Sequence, residues 1–562
     1  MSAETEALLA GLDDEQREVA QTLRGPVSVL AGAGTGKTRT ITHRIAHGVM
    51  TGAYRPDRVL AVTFTAKAAA ELRSRLRLLG AGGVSARTFH SAALSQLGYF
   101  WPQIVGGQAP QVLPGKSRTL AQAADAMRLR FDTDTLRDVA SEIEWRKLSS
   151  LGIEAYAERL DERSLPNGIT AEQLLEVMGS YETLKDERRQ IDFEDVLIIM
   201  TGMLEVEPRV ALQVREQFRF FTVDEYQDVS PLQHNLLRAW VGDRTELCVV
   251  GDASQTIYSF AGADSSFLLR FGTEFPSARE FRLEQNYRST PGVVRAANTL
   301  MAGRPGALTL QATRDDPKGG SAPLVQAFGS DQDEADGVAR AIGGLLREGV
   351  PASEIAVLYR TNAQSARIES ALDRAGISTH VHGVQRFFDR AVVKQAIMAL
   401  RGQALAPEPG PLFQQVSDVL RSQGWTEQPP AGAAQRERWD SLGAILALVD
   451  DAPEGTTLRV FSDDLVERAK ANHEPTLDAV TLSAIHAAKG LEWGRVFVVG
   501  VTEGVLPIRF AETEAQIEEE RRLFYVATTR ARDRLYLSTA GQGRRGPSRF
   551  LAELGNEPRS GA

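Results

Sequence analysis

Eight consecutive residues, Ala31-Gly32-Ala33-Gly34-Thr35-Gly36-Lys37-Thr38, carry the most specific chemistry in this 562-residue chain. Glycines at this density let backbone N–H groups turn toward a phosphate, and the dipole of a following helix favours negative charge at the same point. Lys37 is long enough to reach β- and γ-phosphates, the Thr38 hydroxyl suits Mg2+, and Arg39 carries the loop into its helix. The first position of the G-x-x-x-x-G-K-[ST] pattern is Ala31, which leaves the phosphate-contacting half intact. Far downstream, Asp224-Glu225 supplies the complementary half of a hydrolytic site. Asp224 can hold Mg2+ through water, and Glu225 can orient and deprotonate an attacking water. Gln255, after the Gly251-Asp252 exit, is placed to sense a γ-phosphate. A chance glycine turn does not account for the strand and helix that flank the loop, nor an incidental acidic turn for its pairing with Lys37 and Thr38. Together the two motifs point to a nucleoside triphosphate site.

Such groups need a rigid platform. Val27–Leu30 follows the turn residues Gly25-Pro26 and reads as a buried strand, with a helix over Arg39–Ala46. Strand-to-helix alternation recurs at Val59–Thr65 with Ala66–Leu76, and at Val84–Ser91. Further strands are expected at Phe218–Val223 and Leu247–Val250, so the fold class is α/β with parallel sheets. Thr63, Phe64, Thr88 and His90 would then stand at the carboxyl edge, where α/β folds bind ligands. Phe64 and Phe89 suit base stacking on a single strand, although core packing explains phenylalanines equally well. Tyr258 and Phe260 could face the same strand. Gln16 lies three residues after Asp13, a capping-box spacing, and its amide could also read an adenine edge. Tyr287-Arg288 suits ring stacking plus a guanidinium on developing phosphate charge.

The rhythm stops over residues 108–189, where Leu136, Val139, Ala140 and Ile143 recur at helical spacing behind the expected caps Thr133 and Asp134. This stretch reads as a helical insertion. The acidic group Asp192, Glu194 and Asp195 reads as a solvated helix cap rather than a metal site. The single cysteine, Cys248, excludes a disulfide framework and fits a reducing cytosol. No signal-peptide pattern opens the chain, and no apolar run reaches the ~18 residues of a membrane span, so a cytoplasmic protein with no membrane partner is expected. The net charge of −9 does not exclude a local basic groove, because only charge within a Debye length of ~8–10 Å acts on a phosphate. A chain this long should divide into roughly three or four domains.

With these blocks in order, the chain resembles the UvrD/Rep/PcrA group of superfamily 1A DNA helicases. The residues that carry the resemblance are Gln16, Gly32–Thr38, Thr63–Lys67, Thr88–His90, Asp224–Asp228, Gly251–Phe260, Gln285–Ser289, Thr481–Glu492 and Glu518–Ala531. The resemblance implies two RecA-like domains, each with a mainly helical insertion. The first would cover 1–107 and 190–279, with its insertion at 108–189. The second would cover 280–390 and 476–554, with a reduced insertion at 391–475 and a flexible tail at 555–562. It further implies ATP and Mg2+ as cofactors, and single-stranded or tailed duplex DNA as partner. The activity implied is DNA-stimulated ATP hydrolysis driving 3′→5′ translocation and unwinding in repair or replication. By similarity Tyr287 and Glu492 contact the nucleotide, Arg288 and Arg530 reach the γ-phosphate, and His486 and Lys489 lie by the DNA or the nucleotide. Arg530 would be presented by a helix over Glu518–Ala531. Arginines worth about 10³–10⁵ in rate, supplied across a cleft, would confine hydrolysis to the closed state.

Two departures stand out. Phe260 is followed by Ala261 where the family usually has arginine. Only 85 residues separate Arg390 from Thr476, with Pro/Gly-rich breaks at Ala406–Pro411 and Pro429–Gly432, whereas family members usually carry a larger subdomain there. With Leu551 close to the end of the sequence, neither an accessory DNA-binding module nor a nuclease domain is expected. Some actinobacterial UvrD-like helicases have similar wording, including the Gln-Thr-Ile-Tyr-Ser-Phe run, and carry such modules. The alternative expectation is an ATP-gated DNA-binding or displacement factor that unwinds only with a protein partner.

Overall fold

Val27–Ala31 (β1), Val59–Thr63 (β2) and Leu247–Gly251 are short runs buried at every residue, as strands covered on both faces must be. They belong to a computed structural model that describes residues 3–163, 165–166, 169–316, 322–382, 388, 390–405, 410–428, 439, 441–446, 448–449, 452–453, 455–471, 478–541, 546–555 and 559–560. The chain forms two compact units, residues 1–32 with 36–283, and residues 33–35 with 284–562.

In the first unit the remaining strands are Ser85–Thr88 (β3), Gln111–Val112 (β4), Gln190–Ile191 (β5), Phe220–Val223 (β6), Leu247–Gly251 (β7) and Arg279–Leu283 (β8). Six form one sheet in the order β3-β2-β6-β7-β1-β8, every pairing parallel. The register matches Thr63 with Thr88, Val62 with Val223, Leu30 with Gly251 and Ala31 with Leu283. All the strand exits therefore share one edge. Val27, Val29, Ile41, Ile45, Val59, Ala61, Cys248 and Val250 pack into one core between sheet and helices.

The segment expected to be helical contains Ser117–Ala126, Thr133–Leu148, Ile153–Ala157 and Ala171–Glu187. It is closed by the two-residue parallel ladder of β4 on β5 and has its own core of Leu120, Val139, Ile143, Leu174 and Tyr181. Its cap differs from expectation. Asp132, not Thr133 or Asp134, accepts from Thr135 N–H at 2.8 Å.

The acidic group is a cap but not a solvated one. Asp192 accepts from Asp195 N–H and begins the helix Phe193–Val206, yet it is 2% exposed. Lys147 donates to Asp192 at 2.8 Å and to Asp195 at 2.6 Å, and Lys185 donates to both as well. The two lysines hold the Asp192 carboxyl far below the usual carboxylate range, against burial, which acts the other way.

In the second unit the strands are Gln285–Asn286 (β9), Gln311–Ala312 (β10), Leu324–Phe328 (β11), Ile355–Tyr359 (β12), Thr379–His382 (β13), Val480–Ala484 (β14), Trp493–Val498 (β15), Ala531–Ala540 (β16) and Arg559–Ser560 (β17). Seven form a parallel sheet in the order β13-β14-β12-β15-β16-β11-β17, and β9 pairs with β10. The helices Ala391–Gln403, Leu412–Ser422 and Leu458–Ala471 gather around a separate core that includes Val393, Leu400, Val416, Leu420, Phe461 and Leu465.

Several expected bounds shift for local reasons. The strand expected from Phe218 starts at Phe220, because Phe218 N–H still closes the preceding helix on Val214 C=O. The strand expected to reach Thr65 stops at Thr63, because the Thr65 hydroxyl caps the helix Ala66–Leu78 by accepting from Ala68 N–H. The helix expected over Glu518–Ala531 spans Glu514–Thr528, and Ala531 already belongs to β16. The boundary expected at 279–280 falls inside β8, which stays on β1 through Leu283. Within the expected tail, Arg559–Ser560 pairs with β11. Thr476, the stretch 406–409 and the break at Pro429–Gly432 lie outside the described residues.

Candidate functional site

β1 ends at the buried Ala31, and the helix Lys37–Met50 begins six residues later. Gly34 and Gly36 between them adopt φ of 71° and 82°, a left-handed conformation that side chains resist. Gly36 also faces Gln16, whose Nε2 would lie 2.7 Å from any added Cβ. Thr35 and Ala33 are buried, and Gly32 N–H donates to Leu283 C=O at 3.2 Å. The loop is therefore a shaped backbone concavity at a helix N-terminus, the arrangement that receives anions. Arg39 leaves this concavity, and its guanidinium donates to Gly11 C=O at 2.7 Å.

Gln16 forms the capping box that its spacing from Asp13 implies. Asp13 accepts from Gln16 N–H at 2.7 Å, Gln16 Oε1 receives Asp13 N–H at 3.4 Å, and the side chain is buried against Gly36.

The exit of β6 brings the carboxylates to the same edge. Lys37 Nζ lies 3.9 Å from Glu225 Oε1. Asp224 is buried and its carboxyl is pushed up to about 7, by burial first and then by the neighbouring Glu225, with Lys37 opposing. Glu225 itself sits at φ 54°, an outlier for a side-chain-bearing residue and a conformation that functional sites retain. Gln227, which the sequence reading passed over, donates to Glu225 Oε2 at 2.5 Å and receives Asp252 N–H at 3.0 Å. Gln255 donates to Asp252 Oδ2 at 2.7 Å and is buried. These bonds tie the exits of β6 and β7 into one polar layer beneath the loop.

A buried Asp224 beside a partly exposed Glu225, offset by one lysine, leaves negative charge that a divalent cation would neutralise. Among the described residues no group of three or more His, Cys, Asp or Glu could hold a metal ion by itself. Thr38 and Asp224 are too few for a closed protein cage, but they fit Mg2+, which keeps water and phosphate oxygens in its shell.

The residues expected to face DNA divide by burial. Phe64 is 38% exposed and its ring stacks on Tyr258, centroids 5.8 Å apart and 11° from parallel. Phe260 is 59% exposed and meets Tyr258 edge-on. Phe89 is core, stacked on Trp240. Thr88 spends its hydroxyl on capping the helix Phe89–Ile104. Thr63 is buried, and its Oγ1 has no hydrogen-bond partner among the described residues. His90 packs on the Phe193 ring at 4.8 Å, and burial followed by the nearby Lys116 lowers its pKa to about 4. Ala261 closes the turn Ser259–Ala261, and Gly262 packs against Leu148.

In the second unit, Asn286 is a second residue missed. Its Nδ2 donates to Ala33 C=O at 2.6 Å, while its Oδ1 receives the N–H groups of Arg288 and Ser289. An amide beside Tyr287-Arg288 was the available signal. Arg288 donates to Glu492 at 2.5 Å, so the residues expected at phosphate and ribose pair with each other. Tyr287 is 45% exposed. Arg530 is 2% exposed and donates to the carbonyls of Val526 and Leu491. It thus lies in the turn before β16, directed into its own unit. His486, beside Lys489 after β14, has its pKa lowered to about 4 by burial and by Arg360 and Lys489. No helix among the described residues is long and apolar enough to cross a membrane.

Comparison with known proteins places this geometry. Residues 12–276 match the UvrD/REP helicase N-terminal domain, and residues 281–404 and 413–542 match the UvrD-like helicase C-terminal domain. The chain is 45% identical to the ATP-dependent DNA helicase UvrD2 of Mycobacterium tuberculosis, over all of this chain and 84% of the relative. It is 31% identical to DNA helicase II of Escherichia coli, over 98% of the chain and 88% of that protein. To the ATP-dependent DNA helicase PcrA of Staphylococcus epidermidis it is 28% identical, over 98% and 87%. A parallel-sheet unit bearing the phosphate loop, a second parallel-sheet unit and matches over most of the length all agree: the chain belongs to the UvrD-type helicase family.

Proposed function

We propose that this protein hydrolyses ATP to translocate along single-stranded DNA and to unwind duplex DNA. The observation that carries it is the convergence of Lys37, Asp224 and Glu225 at one sheet edge beside a phosphate-shaped loop. Relatives across the family are ATP-dependent DNA helicases by name, and the stacked Phe64 and Tyr258 supply a surface for bases.

In this reading the N–H groups of Ala33–Lys37 hold phosphate oxygens, and Lys37 balances charge on the β- and γ-phosphates. Gln16 faces the adenine. Glu225 orients a water toward the γ-phosphorus and takes its proton, held in place by Gln227. Gln255 reports the state of the γ-phosphate. Mg2+, bound by Thr38 and Asp224, would add positive charge where the leaving phosphate gains negative charge. Tyr287 and Glu492 serve the base and ribose, while Arg288 and Arg530 stabilise the transferring phosphoryl charge. Thr63, Thr88, His90, Phe260 and His486 join Phe64 and Tyr258 along the DNA strand.

The two parallel-sheet units act as the RecA-like pair, residues 108–189 and 391–475 as their insertions. Translocation runs 3′→5′, the DNA is single-stranded or 3′-tailed, and the work belongs to repair or replication in the cytoplasm. The test is strand displacement on 3′-tailed, 5′-tailed and blunt duplexes with ATP and Mg2+. Unwinding of the 3′-tailed duplex alone is expected. DNA-stimulated ATPase without displacement on any substrate would favour a second reading, a displacement factor that unwinds only with a protein partner. Ala261, at the position after Phe260 where the family usually has arginine, is the observation that favours it.

A further inference from the structure

The amino-terminal edge of the first sheet is lined with arginine. Arg24 precedes β1, Arg55 and Arg58 precede β2, Arg219 precedes β6, and Arg244 stands just before β7. Because the sheet is parallel, these positions share the edge opposite the phosphate loop. A five-residue strand at ~3.3 Å per residue puts the two edges roughly 16 Å apart.

The strand entries border a groove of about 950 Å³, lined by six arginines, with Arg215 the sixth, and only two glutamates, Glu216 and Glu246. It adjoins a second groove of about 630 Å³, with which it shares Arg58 and Glu216 and whose wall includes Tyr99 and Phe100. In a chain of net charge −9 this is a concentrated positive surface.

Asp57 pairs with Arg55 at 2.9 and 3.2 Å and lies 3.8 Å from Arg58, but Arg215, Arg219 and Arg244 are held with no carboxylate partner among the described residues. Arg215 donates to Ala239 C=O at 2.9 Å, and Arg244 donates to the carbonyls of Trp240, Val241, Arg215 and Phe218. Arg24 and Arg219 both lie over the Phe220 ring, at 4.9 and 5.9 Å. Arg24 reaches Glu246 only at 3.6 Å. Carbonyls and rings fix direction without cancelling charge, so the guanidinium crowding persists. Burial and the adjacent Arg215 and Arg219 lower the pKa of Arg244.

We propose that this groove docks an acidic, aromatic-containing peptide segment of a protein partner. Clustered guanidinium groups on a rigid frame recognise carboxylates with geometric selectivity. Glu216 and Glu246 would oppose an unbroken phosphate backbone, whereas a peptide can set its acids between them. The second groove adds an apolar wall, with Tyr99 55% exposed and edge-on to Phe100, suited to an aromatic or aliphatic side chain.

The test is fluorescence anisotropy with the full chain and a labelled synthetic peptide alternating Glu and Phe. The variant Arg55→Glu/Arg219→Glu changes two exposed arginines whose loss opens no core, and its melting curve by far-UV circular dichroism checks folding. Peptide affinity should fall at least about tenfold, and the milder Arg55→Gln/Arg219→Gln should fall part of the way. The control Arg340→Glu/Arg347→Glu, with the same charge change in the second unit, should bind like the unaltered chain. Absence of peptide binding by the unaltered chain, equal affinity of the groove variants, or equal loss in the control would overturn the proposal. So would displacement of the peptide by oligothymidylate with a matching loss of oligonucleotide affinity in the groove variants, which would make the groove a nucleic-acid site.

Discussion

Lys37 and Glu225, 188 positions apart in the chain, stand 3.9 Å from each other at the edge where β1 and β6 end. Neither the ammonium nor the carboxylate is solvated freely, their side chains being 12% and 28% exposed, so each sets the charge the other feels. Lys37→Ala and Glu225→Gln should each lower ATP turnover at least ~10²-fold, the scale of losing a positioned base or its electrostatic partner. They should differ in binding. Glu225→Gln keeps the loop and its lysine, so a fluorescent ATP analogue should still bind, whereas Lys37→Ala should weaken it. Normal turnover in either variant would remove the hydrolytic assignment.

Asp224 makes the site sensitive to pH. Its folded pKa, about 7, lies well above the ordinary range of an aspartate carboxyl. A carboxyl raised in this way contributes stability fully below its unfolded pKa and loses it as pH rises through the folded one. The nucleotide-free protein should therefore lose stability between about pH 4 and 7 through this group, and Asp224→Asn should melt higher than the unaltered chain at pH 7.5, with the gap closing near pH 5. Cation binding needs the deprotonated form, so the Mg2+ requirement of nucleotide binding should ease from pH 6 to pH 8. Differential scanning calorimetry and Mg2+ titrations at fixed pH read both effects.

Phe64 and Tyr258 stack on each other with their faces partly open. A base–aromatic stack is worth ~1–3 kcal/mol, so Phe64→Ala or Tyr258→Ala should weaken oligothymidylate binding by about five- to 150-fold. ATP turnover without DNA should be unchanged. Phe89→Ala should behave differently, lowering stability through lost core packing against Trp240.

Lys147 and Lys185 neutralise Asp192 and Asp195 inside the first unit. Lys147→Met should cost about 3–5 kcal/mol in urea unfolding, because it strands buried carboxylates rather than merely deleting a bond. The exposed Arg421–Glu427 pair offers a contrast. Arg421→Ala should cost less than about 1 kcal/mol.

The phosphate loop, its flanking strand and helix, and the carboxylate pair were all legible in the sequence. Each is built from consecutive residues, and backbone geometry over a few positions follows from local residue type. Gly34 and Gly36 permit left-handed turns wherever they are placed, and runs such as Val59–Val62 bury as strands in any sheet. Only the tertiary structure decided what depends on distant segments meeting. Gln227 joins Glu225 to Asp252, Asn286 holds Ala33 from 253 positions away, and Arg530 turns inward onto backbone carbonyls. The Asp192 cap became a buried ion cluster only because Lys147 and Lys185 reach it from two other helices. Asp224 gained its raised pKa, and the arginine groove its charge, in the same way. Solvation and Coulomb energies depend on separation in space, which spacing along the chain does not encode.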